Sequence, residues 1–348
     1  MSEATLIQEA SRVLEARLPA GWRQRLKALD SSRADGPDAI LEVVGPDGSK
    51  ARLAVEAKAR LVPRAVADIK AQLDRYSSTP GLVVATFLTP STRERLRAAS
   101  LNYLDLTGNL RLVLSQPGLY VETQGAAEDP SPADEPGRSL RGPKAGRIAR
   151  ALCDFPPPLP ISNLAVKAKV DISYASRVVE WLAREALLER RPWGPVQTID
   201  RAALIRRWAQ DYAVLTSNDS RTYLDPRGLD NLLRRLAQGA IRGRYALTGS
   251  LAANRLAPVA PARLAMLYVD DPGSAASALK LRPTEAGTNV MLLVPFDDVV
   301  FERTWKDRGL VLVAPSQAAV DLLTSPGRAP SEGEAVLNAL ARKSARPS

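Results

Sequence analysis

Residues 40–58, ILEVVGPDGSKARLAVEAK, restrict the fold more than any other stretch. Two runs of alternating apolar and polar residues flank GPDG, a tight-turn sequence, so the stretch reads as a β-hairpin. A hairpin with one apolar face must bury it against another layer. The flanking sequence supplies that layer. Residues 4–18 place Leu6, Ala10, Val13, Leu14 and Leu18 on one helical stripe. Val62 to Tyr76 reads as a second helix with Pro63 near its start. GLVVATFLT, 81–89, is the continuous apolar run expected of a strand covered on both faces. Pro90-Ser91-Thr92 opens a further helix to about Ser100, and LNYLDLTGNLRLVL and YVETQG read as closing strands. This order predicts a three-layer α/β module with a mixed sheet over residues 1–125.

The rest of the chain reads as three further segments. Residues 126–143 are rich in Pro, Gly, Ser and acids without an apolar pattern, and are expected to be a linker. Residues 144–200 read as three helices and a hairpin: KAGRIARALCDF, ISNLAVKAKV with Ser162 as N-cap, DISYASRVVEWLAREALL, then ERRPWGPVQTID. Ile148, Leu152, Leu164, Ala165, Val178, Val179, Leu182 and Leu187 form their expected core. Residues 201–348 read as a third, α/β domain. Its helices are expected at 201–212, 229–239, 315–324 and 331–343, and its strands in RYALT, LAMLYVD, NVMLLVP and LVLVA. The expected class is therefore α/β (α+β), multidomain. There are no internal repeats.

Composition limits the chemistry. The 348 residues contain no histidine, which removes Ser-His-Asp and Cys-His catalysis, His-based zinc sites and His general bases. Catalysis has to run on carboxylates, lysine and a hard cation, which oxygen ligands hold without imidazole. One cysteine, Cys153, cannot form an internal disulfide and is expected in the core. Trp181, Trp193, Trp208 and Trp305 are expected as packing anchors, with DNA contact as a second role for Trp193 at the hairpin tip. No apolar run is long enough to span a membrane, and the N-terminus has early acids and no apolar signal core. A cytoplasmic protein is expected. The formal charge is +10, which favours a polyanionic partner. The excess is concentrated: residues 138–191 hold eleven Lys/Arg against five Asp/Glu, a net of +6.

Pro37-Asp38 precedes the hairpin, and Glu56-Ala57-Lys58 lies on its second strand. Period-two geometry puts Glu56 and Lys58 on one face, and Asp38 can reach that face. One reading is a cross-strand ion pair on a wet face. The other is a metal site, with Asp38 and Glu56 holding Mg²⁺ or Mn²⁺ to polarise a phosphodiester and Lys58 stabilising the negative charge that develops. Gln72 and Tyr76, four apart on the next helix, are expected to steady the ligands. In Asp105-Leu106-Thr107-Gly108-Asn109, the Asp and Asn side chains are expected to satisfy a glycine turn, with direct substrate contact as the competing reading.

These residues resemble the PD-(D/E)xK nuclease superfamily over about residues 1–125, and Gln72/Tyr76 is similar to the Q-x-x-x-Y motif of its RecB-like branch. The longer pattern resembles the AbiEi-type antitoxin and transcriptional-regulator family of type IV toxin–antitoxin systems. It comprises EAK…PR…QLDRY, LNYLDLTGNLRL, LIRRWAQDY, YALTGSLAA and NVMLLVPFDD…DLLTSPGRAPSEGEAVL. That resemblance implies an endonuclease-like first domain, a winged helix over 144–200, and a C-terminal nucleotidyltransferase-like domain that binds a partner.

In a winged helix the second helix of the helix-turn-helix pair enters the major groove. Ser173, Tyr174, Ser176 and Arg177 are then expected at base edges. Lys144, Arg147, Lys167, Lys169, Arg190 and Arg191 are expected at phosphates. Thr248-Gly249-Ser250 with Asp270-Asp271 is faintly similar to a nucleotidyltransferase pattern. Adjacent acids on a strand point to opposite faces, however, so a degenerate, partner-binding domain is favoured. The sequence reading is of a double-stranded DNA-binding regulator. Its alternative is a Mg²⁺-dependent DNA endonuclease directed by the winged helix. The partners implied are double-stranded DNA, a nucleotidyltransferase-like toxin and a second copy of the chain, with no membrane.

Overall fold

A computed structural model describes residues 2–29, 36–76, 80–127, 129–130, 139–191 and 194–344. The chain is mixed α/β and divides into two compact units. One comprises Met1–Glu135 with Arg184–Ala186, the other Pro136–Ala183 with Leu187–Ser348. Among the described residues, no helix is long and apolar enough to cross a membrane.

The first unit begins with α1 (Glu3–Glu15), capped by the Ser2 hydroxyl accepting from the Thr5 N–H. β1 (Arg23–Ala28), β2 (Ala39–Val44) and β3 (Lys50–Lys58) form an antiparallel meander. A 3₁₀ turn at Pro63–Ala65 leads into α2 (Val66–Asp74), then β4 (Gly81–Ala85), α3 (Pro90–Ala98), β5 (Asn102–Asp105), β6 (Leu110–Leu114) and β7 (Leu119–Thr123). The seven strands lie side by side in sequence order, with β3–β4 and β4–β5 parallel and the other pairs antiparallel. The parallel steps are those that contain helices, as a crossover connection requires. Leu6, Ile7, Ala10 and Leu14 of α1 pack on one sheet face with Leu41, Val43, Leu53 and Val55. Val66, Ile69 and Leu73 of α2 and Leu96 of α3 pack on the other with Ala54, Val83, Ala85 and Tyr103. The hydrophobic effect thus acts on both faces of β4, which is why its sequence is continuously apolar.

The second unit opens with α4 (Pro143–Asp154), α5 (Ile161–Ala168) and α6 (Ile172–Arg184), followed by the hairpin β8 (Leu188–Arg190) and β9 (Val196–Ile199). Then come α7 (Arg201–Ala209), α8 (Val214–Ser217), β10 (Asp219–Leu224), α9 (Leu229–Ala237), β11 (Tyr245–Thr248) and α10 (Gly249–Leu256). β12 (Ala265–Val269), α11 (Pro272–Ala278), β13 (Arg282–Pro283) and β14 (Val290–Val294) follow. β15 (Trp305–Asp307), β16 (Leu310–Leu312), α12 (Pro315–Leu323) and α13 (Ala329–Ser344) complete the unit. Its mixed sheet has the order β13-β10-β14-β12-β11-β16-β15. One hydrophobic core runs from Ile148 and Leu164 through Trp208 to Leu267 and Val320, so residues 144–200 and 201–348 are packed as one body.

A network of buried polar groups runs through this body. Arg150 on α4 is fully buried and donates to Asp154, Gln317 and the carbonyls of Val299 and Glu302. Gln317 donates in turn to Asp321, which also accepts from Tyr212, Tyr268 and Thr248. Those four donors are needed because an unpaired buried carboxylate is costly. Even so, burial wins and raises the Asp321 carboxyl to about 6. Gly249, just after Thr248, has φ +62°, and a Cβ there would meet the Met266 sulfur at 3.0 Å. The Thr-Gly-Ser turn is thus accounted for by packing. Asp270 accepts from the Arg244 guanidinium, and Asp271 caps α11 through the N–H groups of Gly273 and Ser274.

Candidate functional site

The register of the β2–β3 hairpin sets Ala39 opposite Val55, so Asp38, one residue earlier, stands opposite Glu56. Asp38 is held there by two bonds. Its N–H donates to the Val55 carbonyl at 3.0 Å, and its Oδ2 accepts from the Ala57 N–H at 2.8 Å. Lys58 Nζ lies 3.0 Å from Glu56 Oε2 and 3.5 Å from Asp38 Oδ2. Gln72 of α2 donates its side-chain amide to Glu56 Oε1 at 2.5 Å. The fold therefore brings together Asp38, Glu56, Lys58 and Gln72, and the Lys58 ammonium bridges both carboxylates.

The burial of these groups is unequal. The Glu56 side chain is 0% exposed, Asp38 21% and Lys58 35%, so the cluster is a buried acid reached through a half-exposed acid and base. Burial raises the Glu56 carboxyl above its ordinary value, the Lys58 bond opposes this, and the Asp38 charge adds to the rise. Burial pushes Lys58 down, but the bond to Glu56 and the charges of Glu56, Asp38 and Glu3 win, so its ammonium is held above the usual value. Glu3, in the first turn of α1, was not singled out by sequence reading. Its position became meaningful only once α1 was packed on the sheet.

Tyr76 was expected to share a helix face with Gln72. α2 ends at Asp74, and Tyr76, two residues on, packs on the α2–α3 side of the sheet. A hard cation fits the donor set in one respect: apart from the Lys58 ion pair, Oε2 of buried Glu56 receives no hydrogen bond. Among the described residues, no group of three or more Asp, Glu or Cys converges. Two carboxylates suit Mg²⁺, which commonly completes its shell with water and substrate phosphate.

The Asp105 segment is structural. Asp105 is fully buried at the end of β5 and accepts from the N–H groups of Leu88, Thr107 and Asn109, the Thr107 hydroxyl and the Asn109 amide. Gly108 has φ +98°, which completes the turn. All lone-pair directions of Asp105 are occupied by the fold, which leaves none for a substrate.

In residues 144–200, α6 starts after a turn in which Lys169 adopts φ 52°. Asp171 Oδ1 accepts from the N–H groups of Ser173 and Tyr174, and these bonds hold its carboxyl below the usual range. Ser173 and Arg177 are exposed on α6, while Tyr174 and Ser176 are half-buried. Val166 and Ile172, on either side of the turn, are 77% and 50% exposed.

The six cations expected at phosphates differ in their surroundings. Lys144 and Arg191 are exposed. Lys167 lies over the Phe155 ring at 3.7 Å. Arg147 Nε donates to both carboxylate oxygens of Asp297 at 2.9 and 3.0 Å, and Lys169 is paired with Glu302 at 2.7 Å. Both acids come from the C-terminal half of the unit, and the Lys169 side chain stays 65% exposed within its pair. Arg190 is half-buried, and its Nη1 is buried with no hydrogen-bond partner. Trp193 lies outside the described residues.

The chain matches no protein-family model, no curated protein and no solved structure.

Proposed function

We propose that this protein binds double-stranded DNA and regulates transcription in the manner of an antitoxin, reading the duplex with α6. In this reading residues 144–200 are a winged helix, with α5 and α6 as its helix-turn-helix and β8–β9 as its wing. The observation that carries the reading is the outward-facing start of α6. Asp171 caps it, and Ser173 and Arg177 project from it beside the exposed side chains of Val166 and Ile172. Ser and Arg donate to base edges, and apolar groups suit the thymine methyl. Lys144 and Arg191 are available to phosphates. The C-terminal sheet, a nucleotidyltransferase-like fold without a catalytic acid pair in this reading, serves partner binding, and a nucleotidyltransferase-like toxin is the proposed partner. Enrichment of bound duplexes from a random pool, with Arg177→Ala as control, tests the reading.

A specific observation also favours a second reading. Asp38, Glu56, Lys58 and Gln72 converge from 35 residues of sequence onto one face of the first unit. In this reading that unit is a PD-(D/E)xK endonuclease-like fold that cuts DNA. Asp38 and Glu56 would hold Mg²⁺ or Mn²⁺, which when bound supplies Lewis-acid polarisation of a phosphodiester. Lys58 would stabilise negative charge at the phosphate, and Gln72 would fix the Glu56 carboxylate. Incubating supercoiled plasmid with the pure protein and either metal, beside Lys58→Ala, tests it. Cutting lost in the variant supports the enzyme; no cutting by either protein overturns it.

A further inference from the structure

The sheet face that carries Asp38 and Glu56 does not end there. Cross-strand register arranges it in rows. Arg23, Val44 and Lys50 form one row; Arg25, Glu42 and Arg52 the next; Lys27, Ile40 and Ala54 the third. Asp38 and Glu56 form the fourth. On β1, Arg23, Arg25 and Lys27 are all exposed and alternate with residues of the opposite face. Among the described residues they make no ion pair. On β3, Lys50 and Arg52 are 62% and 69% exposed and share a single carboxylate, Glu42, at 3.5 and 3.3 Å. Five cations thus stand against one acid on the first three rows. α2 and α3 cover this same face farther along, over β3, β4 and β5.

We infer that the β1–β2–β3 face is a docking surface for the phosphate backbone of duplex DNA, running up to the Asp38/Glu56/Lys58 cluster. The inference rests on the reading that the chain binds DNA. Alternate residues on a strand recur about every 7 Å and neighbouring strands lie about 5 Å apart, so the five cations cover an area roughly 14 Å by 10 Å. Arg52 is four residues from Glu56, about 13 Å along β3. Charge complementarity selects a polyanion. The rows contain Arg, Lys, Glu, Ile, Val and Ala and no aromatic side chain, so they offer phosphates partners but unpaired bases no stacking platform. Cations on an edge strand also discourage strand-to-strand association. That role does not require Lys50 and Arg52, which lie two strands inside the edge.

The test uses the full-length protein, a mixed-sequence duplex and a single strand of the same length, with affinity followed against salt. The variants are R23Q/R25Q/K27Q, K50Q/R52Q and Arg177→Ala, each checked for an unchanged unfolding midpoint. Each lost phosphate contact lowers the slope of log affinity against log salt by about 0.9 for duplex DNA. The triple variant is therefore expected to lower the slope by about two to three, and K50Q/R52Q by about two. Unchanged slopes in both sheet variants overturn the surface, while a loss in Arg177→Ala alone still supports α6. Loss in the sheet variants alone supports the surface, since Arg177, placed at a base edge, is expected to change non-specific affinity far less. A larger loss on the single strand than on the duplex overturns the assignment to duplex DNA. No duplex binding by the unaltered protein overturns both.

Discussion

Gln72 on α2 donates its side-chain amide to the buried carboxylate of Glu56 on β3. The bond fixes one oxygen of Glu56 and leaves the other to Lys58. It joins a helix to a strand across sixteen residues. A wet cross-strand ion pair needs no such partner, because an exposed pair is solvated from both sides.

Burial raises the Glu56 carboxyl, so the ionised form is disfavoured in the folded state. The sign follows from linkage: the folded state holds the proton more tightly, so stability from this group is full below the ordinary carboxylate range. It is lost as pH rises through the raised value. Glu56→Gln removes the penalty. Calorimetric unfolding of the first unit should show the variant gaining on the parent as pH rises from about 4 to about 8. Parallel curves across that range would contradict it.

Asp105 satisfies five donors in a fully buried turn. Asp105→Ala removes the acceptor of three backbone N–H groups and of the Thr107 hydroxyl, while the Asn109 amide keeps the Thr107 hydroxyl and the Ala126 carbonyl. The expected cost is about 3–5 kcal/mol, read as a lower denaturation midpoint for the first unit. A variant within about 0.5 kcal/mol of the parent would mean that the turn does not depend on the carboxylate.

Asp321 offers a second pH test in the other unit. Its carboxyl stands at about 6 against an ordinary 3.8. The raised value again makes stability full below the ordinary range and lost as pH climbs towards about 6. That rise corresponds to about 3 kcal/mol, so the second unit should gain up to that amount between about pH 7 and about pH 4. Asp321→Asn should flatten the profile, and unfolding followed by the fluorescence of buried Trp208 would report it. An unchanged profile in the variant would assign the dependence to another group.

Lys169 is tied to Glu302, which also pairs with Arg303. Glu302→Gln frees the lysine at the start of the α5–α6 turn. Non-specific duplex affinity should rise about two- to fivefold, and the salt slope should steepen by up to about 0.9. Equal slopes in parent and variant would show that Lys169 does not face phosphate.

Much of this architecture was legible in the sequence. The continuous apolar run of β4 and the stripes of α1 and α6 signal their environments directly, because burial leaves a period. Strand β1 was missed, since RQRLKA is an edge strand with one covered apolar side chain, Leu26, and no alternation strong enough to register. Strand β10, DSRTYL, lies between β13 and β14 but was missed because Tyr223 is the one buried residue on it and no apolar alternation marks it. The packing of residues 144–200 against the C-terminal half was hidden because its polar contacts run through Arg150, Arg147 and Lys169, which resemble surface cations until Gln317, Asp297 and Glu302 are seen beside them. Of the first-unit cluster, Asp38, Glu56, Lys58 and Gln72 followed from period and register.

The central claim is that α6 reads duplex DNA, and the most direct measurement is selection of bound duplexes from a random-sequence pool. The unaltered protein should enrich a defined motif. Arg177→Ala should relax it at one or two positions, a loss of about 1–3 kcal/mol in discrimination, with non-specific affinity changed far less. No enriched motif, or the same motif recovered unchanged with Arg177→Ala, would contradict the account.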